Sequence, residues 1–149
     1  NRPADIGCML EVSSMCARSM RSGAQGYLMW NMAISTIGGP ALNENTWNSG
    51  LVSVDMETGE ASFTGDYYSM AHFSKFIHQG ATVLDSTDTG IDSNYKLVNL
   101  VTRNPNGTMT AVVVNYTNNA ETMKFVLGDQ VMEVNVAGRS IVTLTWDAN

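Results

Sequence analysis

The hydrophobic and polar positions divide the chain into two unlike halves. Pro3-Ala4-Asp5 reads as a helix start. Ile6, Met9, Leu10, Val12, Met15 and Ala17 then recur at roughly helical spacing up to Met20, and Ser22-Gly23 is a stop. Gln25-Gly-Tyr-Leu-Met-Trp-Asn-Met-Ala-Ile34 is aromatic or aliphatic on both alternating faces. That pattern predicts a strand buried on both sides, as in a parallel sheet covered by helices. Ser35 to Gly50 is a loop rich in Gly, Asn, Pro and Thr, and long ordered loops after a buried strand usually carry function. Leu51-Val-Ser-Val-Asp55 predicts a short strand, Thr58-Gly59 a turn and Glu60-Ala-Ser-Phe63 the return. Asp66 predicts the N-cap of a helix over Tyr67 to His78, with Met70, Phe73, Phe76 and Ile77 as its apolar face and Gly80 as its stop.

After Gly80 the pattern changes to short β-rich runs: Thr82–Leu84, Tyr95–Thr102, Thr108–Tyr116, Glu121–Leu127, Gln130–Val136 and Ser140–Trp146. Asn106-Gly107, Asn118-Asn119, Gly128-Asp129 and Gly138 separate them, and Asn-Gly between alternating runs is a strong hairpin signal. This half predicts an antiparallel β-sandwich. The boundary falls near His78–Ala81, which divides the chain into residues 1–80 and 81–149. The first part cannot close a core alone, because one parallel strand needs parallel neighbours and none are predicted here.

Composition narrows the function classes. The 149 residues are 44% hydrophobic and 15% charged, as in a folded soluble protein. The polar positions are filled by Thr, Asn, Ser and Gly, a mix that suits β-structure and is common outside the cytoplasm. Eight Lys and Arg oppose 14 Asp and Glu, a net charge of −6. No basic cluster exists to hold phosphates, so nucleic-acid binding is disfavoured, whereas a neutral sugar is indifferent to the sign. Cys8 and Cys16 lie eight residues apart in the predicted helix, about 12 Å along its axis. A disulfide needs less than about 7 Å, so both are expected as free thiols. The four-ligand Cys/His spacing of a zinc site is absent, and no apolar run is long enough for a membrane span. The chain starts at Asn1-Arg2-Pro3 without Met and reads as a piece of something longer.

Four motifs in order carry a resemblance. They are Tyr27-Leu28-Met29-Trp30-Asn31-Met32-Ala33, Gly38-Gly39-Pro40, Leu51-Val52-Ser53-Val54-Asp55, and Tyr67-Tyr68-Ser69-Met70-Ala71-His72-Phe73-Ser74-Lys75-Phe76-Ile77. Together they resemble the end of glycoside hydrolase family 30, the glucosylceramidase and β-1,6-glucanase-like retaining hydrolases. The strands Ala111–Asn115 and Ser140–Trp146 look like that family's final sandwich strands. The resemblance implies an α/β plus all-β chain: the carboxy-terminal end of a (β/α)8 TIM barrel (residues 1–80) followed by an antiparallel β-sandwich (81–149). It implies a β-glycoside substrate, no cofactor and no metal, and an extracytoplasmic setting. The family's two catalytic glutamates must stand about 5–5.5 Å apart for double displacement. Gln25–Asn31 resembles the eighth barrel strand, which places both glutamates upstream of Asn1. The isolated chain is therefore expected to lack hydrolase activity, and the remainder of the barrel is the partner it needs.

The resemblance also selects candidate residues. Trp30 would stand at the mouth of the barrel, where a Trp face offers sugar C–H bonds a flat apolar surface. Asn31 follows it and is better suited to holding the loop backbone. Asn43, Asn45, Trp47 and Asn48 lie in the loop over the barrel mouth, and amides both donate and accept, which suits hydroxyl recognition. Ala41-Leu42 replaces the Asn-Trp expected after Gly-Gly-Pro, which argues against a glucosylceramide-type specificity. Glu11 reads as a helix-surface carboxylate, His72 as a packing residue, and Met9, Met15, Met20, Met29, Met32 and Met70 as gap-filling core. Asn106-Gly-Thr108 and Asn115-Tyr-Thr117 match the N-glycosylation sequon, but such triplets arise freely in Asn- and Thr-rich chains, and both are read as chance matches. A non-catalytic sugar-binding or structural β-sandwich is the alternative function. It accounts for residues 81–149 but not for the predicted parallel strand or the Tyr67–His78 helix.

Overall fold

The computed structural model describes residues 5–40, 48–88 and 96–147. Helix α1 spans Ile6–Arg21, capped by Asp5, whose carboxylate accepts from the Gly7 amide at 2.9 Å. A three-stranded sheet follows: β1 (Ala33–Ser35) runs parallel to β2 (Val52–Val54), and β2 pairs antiparallel with β3 (Ala61–Phe63). Helix α2 spans Gly65–Ser74.

The cap of α2 differs from the sequence expectation. Thr64 holds the extended cap conformation, and its hydroxyl oxygen accepts from the Tyr67 amide while donating to the carbonyls of Gly50 and Leu51. A residue already anchored to the segment that leads into β2 sets where the helix starts, so Asp66 falls in the first turn. There its carboxylate complements the helix dipole. The helix also ends at Ser74 rather than His78. Phe76 and Ile77 lie in the turn beyond it, with both amides donating to the Phe73 carbonyl.

The remaining strands are β4 (Thr82–Leu84), β5 (Leu97–Arg103), β6 (Thr108–Asn115), β7 (Glu121–Leu127), β8 (Gln130–Val136) and β9 (Ser140–Asp147). They form an antiparallel sheet in the order β4-β5-β6-β9 and a separate β7-β8 hairpin. Alternation along β5 and β6 sorts their side chains to two faces. Leu97, Val113, Met123 and Val136 form one apolar cluster beneath the β7-β8 hairpin, extended by Val101, Met109 and Ala111 beside Phe125 and Trp146. Val98, Leu100, Val112 and Val114 face the other way, onto Leu10, Cys16 and Ala17 of α1 and Phe73 of α2.

The central sheet is thus covered on both faces, by helices on one side and a hairpin on the other. Its largest core cluster joins residues from both sides of position 80. The hairpin connections are tight. A Cβ at Gly138 would collide with the Asn118 carbonyl, so only glycine fits where the β8–β9 turn crosses the β6–β7 turn.

Candidate functional site

The stretch before β1 is where the sequence placed its candidate residues. The parallel ladder begins only at Ala33, with Ala33 opposite Val52, Ile34 opposite Ser53 and Ser35 opposite Val54. Residues 25–32 form no strand; among the described hydrogen bonds only Asn31 and Met32 at their end pair with the returning segment, at Ser49, Leu51 and Val52. Exposure still alternates along the stretch. Leu28, Trp30 and Met32 are 98%, 82% and 78% exposed, whereas Tyr27, Met29 and Asn31 are half-buried. Tyr27 packs against the cluster shared by α1 and the sheet. One face of the stretch is therefore seated on this chain's own core, and the opposite face is an open apolar row with Trp30 at its centre. Met32 belongs to that row, and Met15 lies exposed on α1, so neither fills the core as expected.

Asn31 acts through its main chain. Its amide donates to the Ser49 carbonyl at 3.2 Å, and its own carbonyl accepts from the Leu51 amide at 3.0 Å. These two bonds fasten the returning loop beside Trp30. Gly50 sits so close that a Cβ there would come within 3.3 Å of the Asn31 carbonyl. On the outgoing side, Ser35 organises the Gly38-Gly39-Pro40 turn. The Ser35 amide donates to the Gly39 carbonyl at 2.8 Å, and the Ser35 hydroxyl accepts from the Gly39 amide at 2.9 Å. Gly38 has φ of 82° and the Gly39–Pro40 bond is cis. Asn48 reaches back across the loop, its amide donating to the Pro40 carbonyl at 3.5 Å. Trp30, Asn31 and Asn48 are therefore brought to one region by the loop's own hydrogen bonds. Asn43, Asn45 and Trp47 lie outside the described residues.

Other candidates resolve as packing. His72 shares a 2.9 Å hydrogen bond between its Nδ1 and the Thr143 hydroxyl, and burial lowers its pKa below the usual histidine value, favouring the neutral ring. Glu11 is exposed on α1. Cys8 and Cys16 are not joined in a disulfide. Among the described residues no group of three or more His, Cys, Asp or Glu side chains is arranged to hold a metal ion, and no helix is long and apolar enough to cross a membrane.

Two features were not anticipated from the sequence. Phe63 stacks on Tyr67 with ring centroids 4.1 Å apart, and Tyr68 stands edge-on to both. The partners come from β3 and α2, so only the fold brings them together. The second is a groove of about 1200 Å³ between the end of α1, residues 77–81 and β4. Arg21 crosses one side of it, paired with Asp88 and donating to the Ser86 carbonyl at 2.6 Å. No Trp, Tyr or Phe lines this groove. It offers polar groups but no flat face for a sugar ring; the exposed Trp, Tyr and Phe rings among the described residues are Trp30, Phe63 and Tyr68.

No family model matches the chain. Among curated proteins it is 32% identical over 110 residues to the endo-1,6-β-D-glucanase BGN16.3 of Trichoderma harzianum, a match over 73% of this chain and 22% of that protein. Among solved structures it superimposes on the endo-β1,6-glucanase BT3312 with a TM-score of 0.78 and 20% identity, covering 93% of this chain and 31% of that one. It superimposes on a GH30 endoxylanase from Clostridium papyrosolvens C71 with a TM-score of 0.72 and 17% identity, covering 99% and 40%. The chain thus spans about a fifth to two fifths of the proteins it matches.

Proposed function

We propose, from the premise that this chain corresponds to the carboxy-terminal portion of glycoside hydrolase family 30, that the whole protein cleaves β-glycosidic bonds with retention and that this portion walls its sugar subsite. The observation that carries the reading is the alternation along residues 27–32. In a barrel strand, alternate side chains face the barrel interior and the surrounding helices. Tyr27 packs on the cluster that α1 and α2 share with the sheet, and Met29 and Asn31 are half-buried in alternation with it, so the reading assigns Leu28, Trp30 and Met32 to the interior row. Trp30 and the loop fastened to Asn31 then stand at the mouth, where such barrels build their sites.

In this reading residues 1–80 are the last helix-strand-loop-helix of the barrel, and residues 81–149 are the sandwich that braces it. Trp30 stacks against a sugar ring, and Asn31 positions the loop. Asn48, with Asn43, Asn45 and Trp47, supplies hydroxyl contacts. The acid/base and nucleophile glutamates come from earlier strands, about 5–5.5 Å apart. The curated relative is named for β-1,6-glucan, which makes that polymer the first substrate to test. A glycan polymer of this kind places the enzyme outside the cytoplasm.

The test is Trp30→Ala in the whole protein, assayed by release of reducing ends from β-1,6-linked oligosaccharides. Losing one stacked face of an indole corresponds to about 2 kcal/mol, or roughly thirtyfold in kcat/KM. Trp30→Phe should retain most of the activity. An inactive wild-type whole protein that still binds glycan would favour the non-catalytic module. Unchanged kinetics in Trp30→Ala would remove Trp30 from the subsite.

A further inference from the structure

We infer that Asn106 is an N-glycan attachment site and that the second sequon, at Asn115, is closed to the same modification. The two share one local geometry. At Asn106 the side-chain oxygen accepts from the Thr108 amide at 3.1 Å and from its hydroxyl at 2.8 Å. At Asn115 the side-chain oxygen accepts from the Thr117 amide and hydroxyl, both at 2.9 Å. In each case the hydroxyl two residues on donates to the carboxamide oxygen, so the two sequons are alike on the oxygen side.

The nitrogen separates them. Asn115 is fully buried, and its Nδ2 donates to the carbonyls of Asn119, Val136 and Ala137, each at 3.0 Å. Those bonds tie the end of β6 to the end of β8. A glycan there would break the tie and force a bulky polar group between strands. Asn106 lies exposed at the tip of the β5–β6 hairpin, with Gly107 at φ of 89° turning the chain behind it. Asn106 is exposed, and its oxygen is the atom engaged in the described hydrogen bonds.

The chemistry needs a lipid-linked oligosaccharide diphosphate as co-substrate. Nδ2 of Asn106 attacks C1 of the first sugar, one C–N bond forms and the sugar–phosphate C–O bond breaks. The lipid diphosphate leaves with the electron pair, and the amide nitrogen gives one proton to a base on the transferase. The product is a β-linked N-glycan projecting away from the hairpin.

The test is expression of the full 149-residue chain behind a secretion leader in a glycosylating eukaryotic host, followed by glycopeptide mapping. Release with peptide N-glycosidase in H₂¹⁸O distinguishes a former glycan site from spontaneous Asn-Gly deamidation. The expected result is one glycan, at Asn106, absent from Asn106→Gln. Mapping the wild-type chain reads Asn115 directly, without a variant that fails to fold. Unmodified Asn106 in both the secreted and the membrane-retained protein would overturn the assignment. A glycan on Asn115 in the secreted protein would overturn the exclusion.

Discussion

Asn104 is the pin between the end of α2 and the sandwich. Its side chain is buried and makes four hydrogen bonds. Oδ1 accepts from the His78 amide at 2.9 Å, and Nδ2 donates to the Phe76 carbonyl at 2.9 Å, the Thr108 hydroxyl at 3.1 Å and the Thr110 hydroxyl at 3.2 Å. Asn104→Ala removes all four, but their partners fare differently. The Phe76 carbonyl keeps the Thr110 hydroxyl at 3.0 Å, and the Thr108 hydroxyl keeps Asn106 at 2.8 Å. The His78 amide is left with no acceptor in the described structure.

With about 1 kcal/mol net for each uncompensated bond and about 1–3 kcal/mol for an orphaned donor, the expected loss is about 2–4 kcal/mol. That is a large fraction of the roughly 5–15 kcal/mol that holds a domain together. Urea unfolding should be followed twice, by far-ultraviolet circular dichroism for the helices and, in a Trp30→Phe, Trp47→Phe background, by fluorescence of Trp146, which packs 5.9 Å from Phe125 in the sandwich. Both signals should shift to lower urea together, because α1, α2 and the sheet share one cluster. A loss under about 1 kcal/mol would refute the pinning role. Wild-type helix and sandwich signals that separate would refute the shared core.

Two further outcomes follow from the buried groups. Burial raises the Cys16 thiol to about 11, whereas Cys8 is only half-buried, so a disulfide reagent at pH 8 should label Cys8 in the folded chain and Cys16 only on unfolding; equal native labelling would contradict the packing of α1. Burial also lowers the His72 pKa below 6.5, so the unfolded chain takes up a proton before the folded one does. Its contribution to stability is full above pH 6.5 and is lost as pH falls toward the depressed folded value. His72→Gln, which can still bond Thr143, should flatten that part of the stability profile, and an unchanged slope would locate the pH dependence elsewhere.

The sandwich was legible because its signals are local. In Glu121–Leu127 the inward Met123 and Phe125 alternate with the outward Thr122 and Lys124, and the strand has the bounds the pattern predicts. Gln130–Val136 likewise matches, and Lys124 meets Glu133 across the hairpin at 3.6 Å. The N-cap of α2 was misplaced for a non-local reason. Thr64 and Asp66 are both good caps by type, and the choice is made by the Gly50 and Leu51 carbonyls that Thr64 reaches. At the candidate site, Trp30 was selected through the resemblance alone. The loop-fastening main-chain bonds of Asn31 to Ser49 and Leu51 carry no mark in the residue types.

The rule read into residues 25–34 meets its conditions elsewhere in the chain. A continuous apolar run predicts a strand covered on both faces. In β5 and β6 the rule holds: each has strand neighbours on both edges, helices above and the β7-β8 hairpin below. In residues 25–34 the composition is equally apolar, yet a ladder forms only over Ala33–Ser35 and on one edge only, against β2. The apolar pattern therefore states what a segment requires, and the neighbours decide whether it is met. Along residues 27–32 it is met on the Tyr27 side by α1 and the sheet, and unmet on the side of Leu28, Trp30 and Met32. Leaving three large apolar side chains open forgoes about 1.5–3 kcal/mol each. In the proposed barrel, neighbouring strands should bury Leu28 and Met32. Trp30 should stay accessible at the mouth, so a Trp30 quenched less by acrylamide than Leu28-level burial allows would mean that the row is core throughout.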